Sequence, residues 1–460
     1  LGTARVVETW LEEGVQQLPE REAIPDDLLR RIIVDVEQSP QQTRRLGWRA
    51  RLGLVSGSGS DGDGSITRRL AVAAMASVVV LVGLGVAVQT VVRAPTDVVG
   101  HFIVASDGSG FDTIAAAVAE AADGEIVLVR PGTYAEAIVI DKSIILKGDG
   151  PVEDIIITAP PDGPEYQASS SLVEVSGSYA IVIEGADPSI SGITLQGRSA
   201  RLFVDGGAAT LEGLVFDVAD PPADGPASLG SLVIDGSLVI DGGATPTVRD
   251  STFSGEGWVL VFDDSDPVIE RNVFTGGFAV WADFGDQAVL RSNRFVDASG
   301  TAIAFLGPTA ATIEGNEISG SAIAIAPSSG FSGTGFAPLI VDNVIRGNTL
   351  GILMPPGSAG EIRGNEITSS GLAISLTDAQ TMVADNELRG NARGILVDGG
   401  SPVLDGNTVT DGTTGLHVQG PSNPSLVGNT ICDNEVNIEL SDGATLPDTT
   451  GNEICPDAAS

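Results

Sequence analysis

Apolar and polar residues alternate in short runs along most of the chain, and the runs recur. Ala302-Ile303-Ala304-Phe305, Gly351-Ile352-Leu353-Met354, Gly394-Ile395-Leu396-Val397 and Gly415-Leu416-His417-Val418 are such runs, bounded by Gly, Asp and Pro. Period-two alternation over so few residues predicts strand and turn. About nine residues before most of them stands an asparagine, and asparagines recur about every twenty-two residues. They are Asn272, Asn293, Asn316, Asn343, Asn365, Asn386, Asn407, Asn429 and Asn452, each followed two positions later by an apolar residue. No helical period fits between them. A leucine-rich repeat has a similar period, but its leucine framework is missing. The pattern predicts one coil of a parallel β-helix stacked on itself, each strand pairing with its copy about 4.8 Å away. Asparagine suits the turn because it tolerates the left-handed backbone conformation and its amide can bond the amide one coil on.

The pattern changes toward the N-terminus. Residues 1–55 carry apolar positions at helical spacing, Val6 to Leu18 and Ile24 to Val36, punctuated by Pro19 and Pro25. Residues 56–69 are a Gly/Ser/Asp linker with a basic flank. Leu70 to Val92 is an apolar run long enough to cross a hydrocarbon core of about 30 Å as a transmembrane helix. Arg44, Arg45, Arg49, Arg51, Arg68 and Arg69 precede it, which predicts a single-pass membrane protein with a cytoplasmic N-terminus. Residues 97–460 would then form an extracytoplasmic β-helix domain.

Charge narrows the partners. The formal net charge is −37, and a surface of that sign repels nucleic acid. Cys432 and Cys455 each follow a repeat asparagine by three residues and so occupy equivalent places on neighbouring coils. Stacked Cα atoms about 4.8 Å apart can be bridged, which predicts a disulfide that staples the last coils.

The run Val104-Ala105-Ser106-Asp107-Gly108-Ser109-Gly110-Phe111-Asp112-Thr113-Ile114, followed by Pro131-Gly132-Thr133-Tyr134-Ala135-Glu136 and Leu146-Lys147-Gly148-Asp149-Gly150, resembles the opening of pectin methylesterases and of the wider pectin lyase-like superfamily. The resemblance implies a right-handed coil and a capping helix, here Thr113 to Ala122. The Gln-Asp-Thr-Leu and Asp-Phe-Ile-Phe-Gly phrases that supply the esterase catalytic residues are absent; Asp283-Phe284-Gly285-Asp286 is a distant echo. Gly-His-Gly and Arg-Ile-Lys phrases of polygalacturonases and the Asp-Pro-His pattern of alginate epimerases are missing too. Residues 1–55 are similar, through Trp10-Leu11-Glu12-Glu13-Gly14 and Ser39-Pro40-Gln41-Gln42-Thr43-Arg44-Arg45, to cytoplasmic heads of membrane-anchored anti-sigma regulators. That resemblance implies a sigma factor as cytoplasmic partner.

Candidate chemistry gathers at one level of the coil. Asp263, Asp264 and Asp266, then Asp283 and Asp286, and later Asp378, Asp398 and Asp442 follow the longest strand of their coils. Carboxylates stacked on such a ledge could hold Ca²⁺ through Asp263, Asp266, Asp283 and Asp286. They could also serve a glycosidase, whose two carboxyl groups sit about 5 to 9.5 Å apart, the reach of one or two coils. Asp is equally a turn residue. His417, flanked by Leu416 and Val418, is expected to point outward and could act as a base. Trp258 and Trp281 fill the core if they face inward and offer sugar platforms if they face outward. The domain's two lysines, Lys142 and Lys147, lie near the cap. With no catalytic phrase present, the expectation is a membrane-anchored protein that binds polysaccharide without turning it over and requires no cofactor. The alternatives are a polysaccharide lyase, glycoside hydrolase or esterase acting at the acidic ledge, and an envelope-sensing anti-sigma-like regulator.

Overall fold

The computed structural model describes residues 101–457, except 161–164, 170–173, 198–200, 219–236, 256–258, 278–279, 286 and 328–333. Three parallel sheets of 14, 14 and 13 strands run its length. Consecutive strands of the chain fall in different sheets, and each pairs in register with its counterpart one coil on. Val248 thus sits beside Ile269, and Ile269 beside Leu290. This is the parallel β-helix that the alternation predicts.

Register stacks like on like. Phe216, Phe253, Phe274 and Phe295 lie on one another inside the second sheet with ring centroids 4.5, 4.7 and 4.7 Å apart. The same column continues as Ile318, Ile345, Ile367 and Leu388. Each such buried side chain contributes about 1.5 to 3 kcal/mol.

The repeat asparagines lie between the first and second sheets, and all but Asn452 are buried. Asn272 donates from Nδ2 to the carbonyl of Val248 at 2.9 Å, and its backbone N–H donates to Oδ1 of Asn293 at 3.0 Å. The left-handed residue is the one before the asparagine: Arg271, Ser292, Asp342 and Asp385 have φ of 55°, 55°, 54° and 54°. Asparagine is therefore selected by hydrogen bonding inside the corner, and the conformational duty falls to its neighbour. A second ladder lies between the second and third sheets. Asn348, Asn391 and Asn434 accept from the amides of Ser321, Ser370 and Gly412. Sequence spacing missed it because Ser and Gly interrupt it.

The cap helix spans Ile114–Glu120, shorter at both ends than expected. Glu136 accepts from the first two helical amides, Ile114 and Ala115, at 2.8 and 2.9 Å. Lys142 donates to the carbonyls of Val118, Ala119 and Ala121 at the other end. The initial apolar run from Ile138 is two strands, Ile138–Ile140 and Ile145–Gly148, in different sheets.

Cys432 and Cys455 form a disulfide with Cα atoms 4.8 Å apart and a sequence separation of 23. Closing a loop of that length in the unfolded chain stabilises the fold by about 3 kcal/mol. Urea denaturation of a Cys432→Ser variant should show that loss, concentrated in the last coils.

The membrane expectation is corrected. Among the described residues no helix is long and apolar enough to cross a membrane. The apolar run 70–92 lies outside the described residues, as do segments 1–55 and 56–69. The transmembrane helix, the single-pass topology and the membrane localisation have no structural support and are withdrawn, and so is the sigma-factor partner placed on residues 1–55.

Candidate active site

The third sheet presents its outward face as a column of apolar residues. Leu202 and Val204 enter the core, so Phe203 between them points out, and register places Val182, Val239, Leu260 and Trp281 in line with it. The antiparallel hairpin Glu165–Ser169 and Glu174–Ser178 brings Tyr166 onto Tyr179 and Phe203, with ring centroids 6.0 and 5.7 Å away. Trp281 packs against this outer cluster and stays partly exposed. It is therefore outward, beside the acidic ledge. Trp258 lies outside the described residues.

At the ledge the strand Val259–Ser265 bulges. Its register with the next strand is broken between Val261 and Ser265, and Asp263 and Asp264 have φ of 54° and 51°. Single left-handed aspartates recur in this protein's turns; two in succession occur only here among the described non-glycine residues. Each costs about 1 to 2 kcal/mol, and bulges of this kind re-aim side chains. Asp283 follows one coil later, half-buried. Burial, then the charges of Asp264 and Asp263, push its carboxyl above the usual aspartate range. Asp241, one coil earlier, is raised for the same reasons, burial first and then Asp263 and Asp205, against a lowering hydrogen bond from Gly242. The bulge thus carries two exposed carboxylates flanked on either side by carboxyls that retain their protons longer. Gly307 leaves the space that the Asp283 carboxyl occupies; a Cβ there would overlap Oδ1.

The other predicted residues do different work. Asp266 accepts from the amide of Gln287 at 2.8 Å, a turn duty, and Asp286 lies outside the described residues. Among the described residues no three ledge carboxylates converge on one point. The one group of ligand atoms that does, all within 4.8 Å, is Cys432, Glu453 and Cys455, and its sulfurs are joined to each other. Asp378 and Asp442 are left-handed turn residues with φ of 43° and 51°. Asp398 is raised by burial and by the charges of Asp378 and Asp442. His417 points outward as expected but is buried, with 7% of its side chain exposed, and its Nε2 lies 2.9 Å from Oγ of Ser441. Three cations are committed elsewhere: Lys142 to the cap helix, and Arg271 and Arg291 to Glu270.

A family profile described as a right-handed beta helix region matches residues 236–388, and one described as the periplasmic copper-binding protein NosD matches residues 332–454. Similar solved structures include a point mutant of the periplasmic alginate epimerase AlgG, at 16% identity over 70% of this chain and 85% of that one, with a TM-score of 0.50. Another is the A-module of the Azotobacter vinelandii mannuronan C-5 epimerase AlgE6, at 16% identity over 75% and 95%, with a TM-score of 0.43. No curated protein matches the sequence. The fold is a right-handed parallel β-helix.

Proposed function

We propose that this protein is a polysaccharide-cleaving enzyme of the glycoside hydrolase type, working at the acidic ledge of the third sheet. The observation that carries this is the pairing, one coil apart, of the half-buried Asp283, whose pKa burial and the neighbouring charges raise, with Asp263 and Asp264 beside the outward Trp281. A carboxyl that holds its proton can protonate a glycosidic oxygen, while a carboxylate beside it acts as nucleophile or activates water. Asp241 offers a second carboxyl of raised pKa on the other side of the bulge. Trp281 supplies an apolar surface for a sugar ring. The charges acting on Asp283 are carboxylates alone, which favours hydrolysis over β-elimination, a reaction that needs a cation to neutralise a uronate.

This replaces the binding-only, membrane-anchored reading. Its membrane element has no support among the described residues. Its non-catalytic element rested on missing sequence phrases, whereas the ledge assembles acid–base partners from separate coils. The fold shared with the alginate epimerase adds that carbohydrate chemistry is at home on this scaffold, as analogy.

The copper in the name of the second matched family does not suit the donors present. Copper takes imidazole, thiolate or thioether ligands. Within residues 332–454 the one histidine is His417, bonded to Ser441; Cys432 is oxidised, Met354 lies in the core, and the exposed Met382 is a single thioether.

Full-length protein incubated with uronate polymers and neutral glucans should release reducing ends without ultraviolet-absorbing unsaturated ends. Unsaturated ends would replace hydrolysis by elimination. Polymer that is retarded in a native gel but stays intact would overturn the enzymatic reading.

A further inference from the structure

At the far end of the same outward face, three side chains stand in the order that acyl transfer requires. His417, on the strand Thr414–Gln419, places Nε2 2.9 Å from Oγ of Ser441, and Nδ1 3.7 Å from Oε2 of Glu439. Ser441 and Glu439 share the next strand, Val436–Ser441, two residues apart and so on one face. Three independent features separate this group from a satisfied surface histidine. The imidazole is more than nine-tenths buried, yet Nδ1 has no hydrogen-bond partner. Buried polar atoms left in that state cost about 1 to 3 kcal/mol and are uncommon in a side chain with a packing role alone. Second, Ser441 remains partly exposed while its base is covered. Third, among the described residues Ser441 ends the last strand of its sheet. In earlier coils the amide following this position donates to the next coil, as Asp378 does to the carbonyl of Asp398 at 2.8 Å. Among the described residues no strand of this sheet follows Val436–Ser441, and the Asp442 amide, one residue after the serine, makes no such bond to a following coil.

We propose that Ser441, His417 and Glu439 form a second catalytic site, which hydrolyses short-chain carboxylic esters; that the ester is an O-acyl group on a glycan rests on the polysaccharide reading above. In the first step Oγ of Ser441 bonds to the ester carbonyl carbon and its proton passes to Nε2 of His417. The Asp442 amide donates to the resulting oxyanion. The bond from acyl carbon to sugar oxygen then breaks, and the imidazolium returns its proton to that oxygen, freeing the alcohol. Water attacks the acyl-serine by the same route in reverse, releasing the carboxylic acid and restoring Ser441. Glu439 accepts from Nδ1–H and holds the imidazole in the tautomer that leaves Nε2 free; an apo distance of 3.7 Å is one that closes on substrate binding. Glu439 is also held by Thr414 Oγ1 at 3.2 Å.

The charge environment suits a base. Burial, the largest influence, lowers the His417 pKa below its ordinary 6.5, and Arg393 lowers it further, while Glu439, Asp442 and Asp398 oppose them. The imidazole is neutral at pH 7 and competent to take a proton.

The full-length protein should be treated with a fluorophosphonate serine probe and digested for mass mapping, and assayed separately with p-nitrophenyl acetate. The expected result is an adduct on Ser441, lost in His417→Ala, with ester turnover lowered about 10²- to 10⁴-fold in Ser441→Ala. Glu439→Gln should keep the adduct, formed more slowly. Wild-type turnover should fall as pH drops through the lowered His417 pKa. No adduct on Ser441 in the wild-type protein, or an adduct formed equally fast in a folded His417→Ala variant, overturns the proposal. The wild-type map decides even if a variant fails to fold. Because neither probe contains a sugar, failure here is separable from failure of glycan cleavage at Asp283.

Discussion

Replacing Asp283 with Asn should lower polymer cleavage by about 10²- to 10⁴-fold and leave the fold intact. Asparagine keeps the shape that fits above Gly307 but cannot release a proton to a leaving oxygen. The pH profile carries the sharper test. A general acid must be protonated, so activity declines as pH rises through the Asp283 pKa, which burial and the neighbouring charges of Asp264 and Asp263 hold above the ordinary 3.8. Wild-type protein should show this alkaline limb. Any residual activity in the variant should lack the alkaline limb. Retention of the alkaline limb and of full activity would move the acid to Asp241, the other raised carboxyl at the bulge.

The second large effect concerns stability. Asn386 accepts at Oδ1 from the backbone N–H and from Nδ2 of Asn365, both at 2.9 Å, and donates from Nδ2 to the carbonyl of Ile362 at 2.9 Å. Replacement by Ala removes this partner from the buried Asn365 N–H and Ile362 carbonyl, while Asn365 Nδ2 keeps the Ile340 carbonyl. At about 1 to 3 kcal/mol for each unsatisfied group, partly relieved by relaxation, the loss should be about 3 to 5 kcal/mol. It should also be local, because each coil touches only its neighbours. Hydrogen exchange should therefore show the Asn365 amide losing protection while amides in the cap, such as Ala117, keep theirs. Uniform loss of protection along the body would mean that the ladder is a cooperative rod rather than a series of separate rungs.

The fold was legible because its period is written in side chains with one duty each. Asn365 and Asn386 mark a corner, and Ile374 and Ile395 mark the strand that follows. The cysteine pair was legible for the same reason: equal offsets from Asn429 and Asn452 become equal positions on adjacent coils. The site was less legible. Asp263, Asp264 and Asp283 could be grouped by level, but a count of residues does not reveal a bulge, and Asp266 at the same level turned out to cap an amide. Trp281 was ambiguous because the interval from asparagine to strand varies between coils: Val280, eight residues after Asn272, pairs with Ile303, ten after Asn293. The Ser441 contact escaped notice because twenty-four residues separate it from His417 and neither lies in a phrase. The run 70–92 has the composition of a membrane span, and composition alone supplied that expectation.

In-register stacking also makes length along this molecule a discrete quantity. The strands that carry Asp283 and Ser441 are seven steps apart in the third sheet, roughly 34 Å at the spacing of paired strands. Insertion or loss of a coil would change that separation by about 4.8 Å without disturbing either end. Intermediate values are closed to it, since a partial coil would turn every inward side chain out. Evolution can therefore tune the interval between two points on this face as a ruler is cut, in whole divisions.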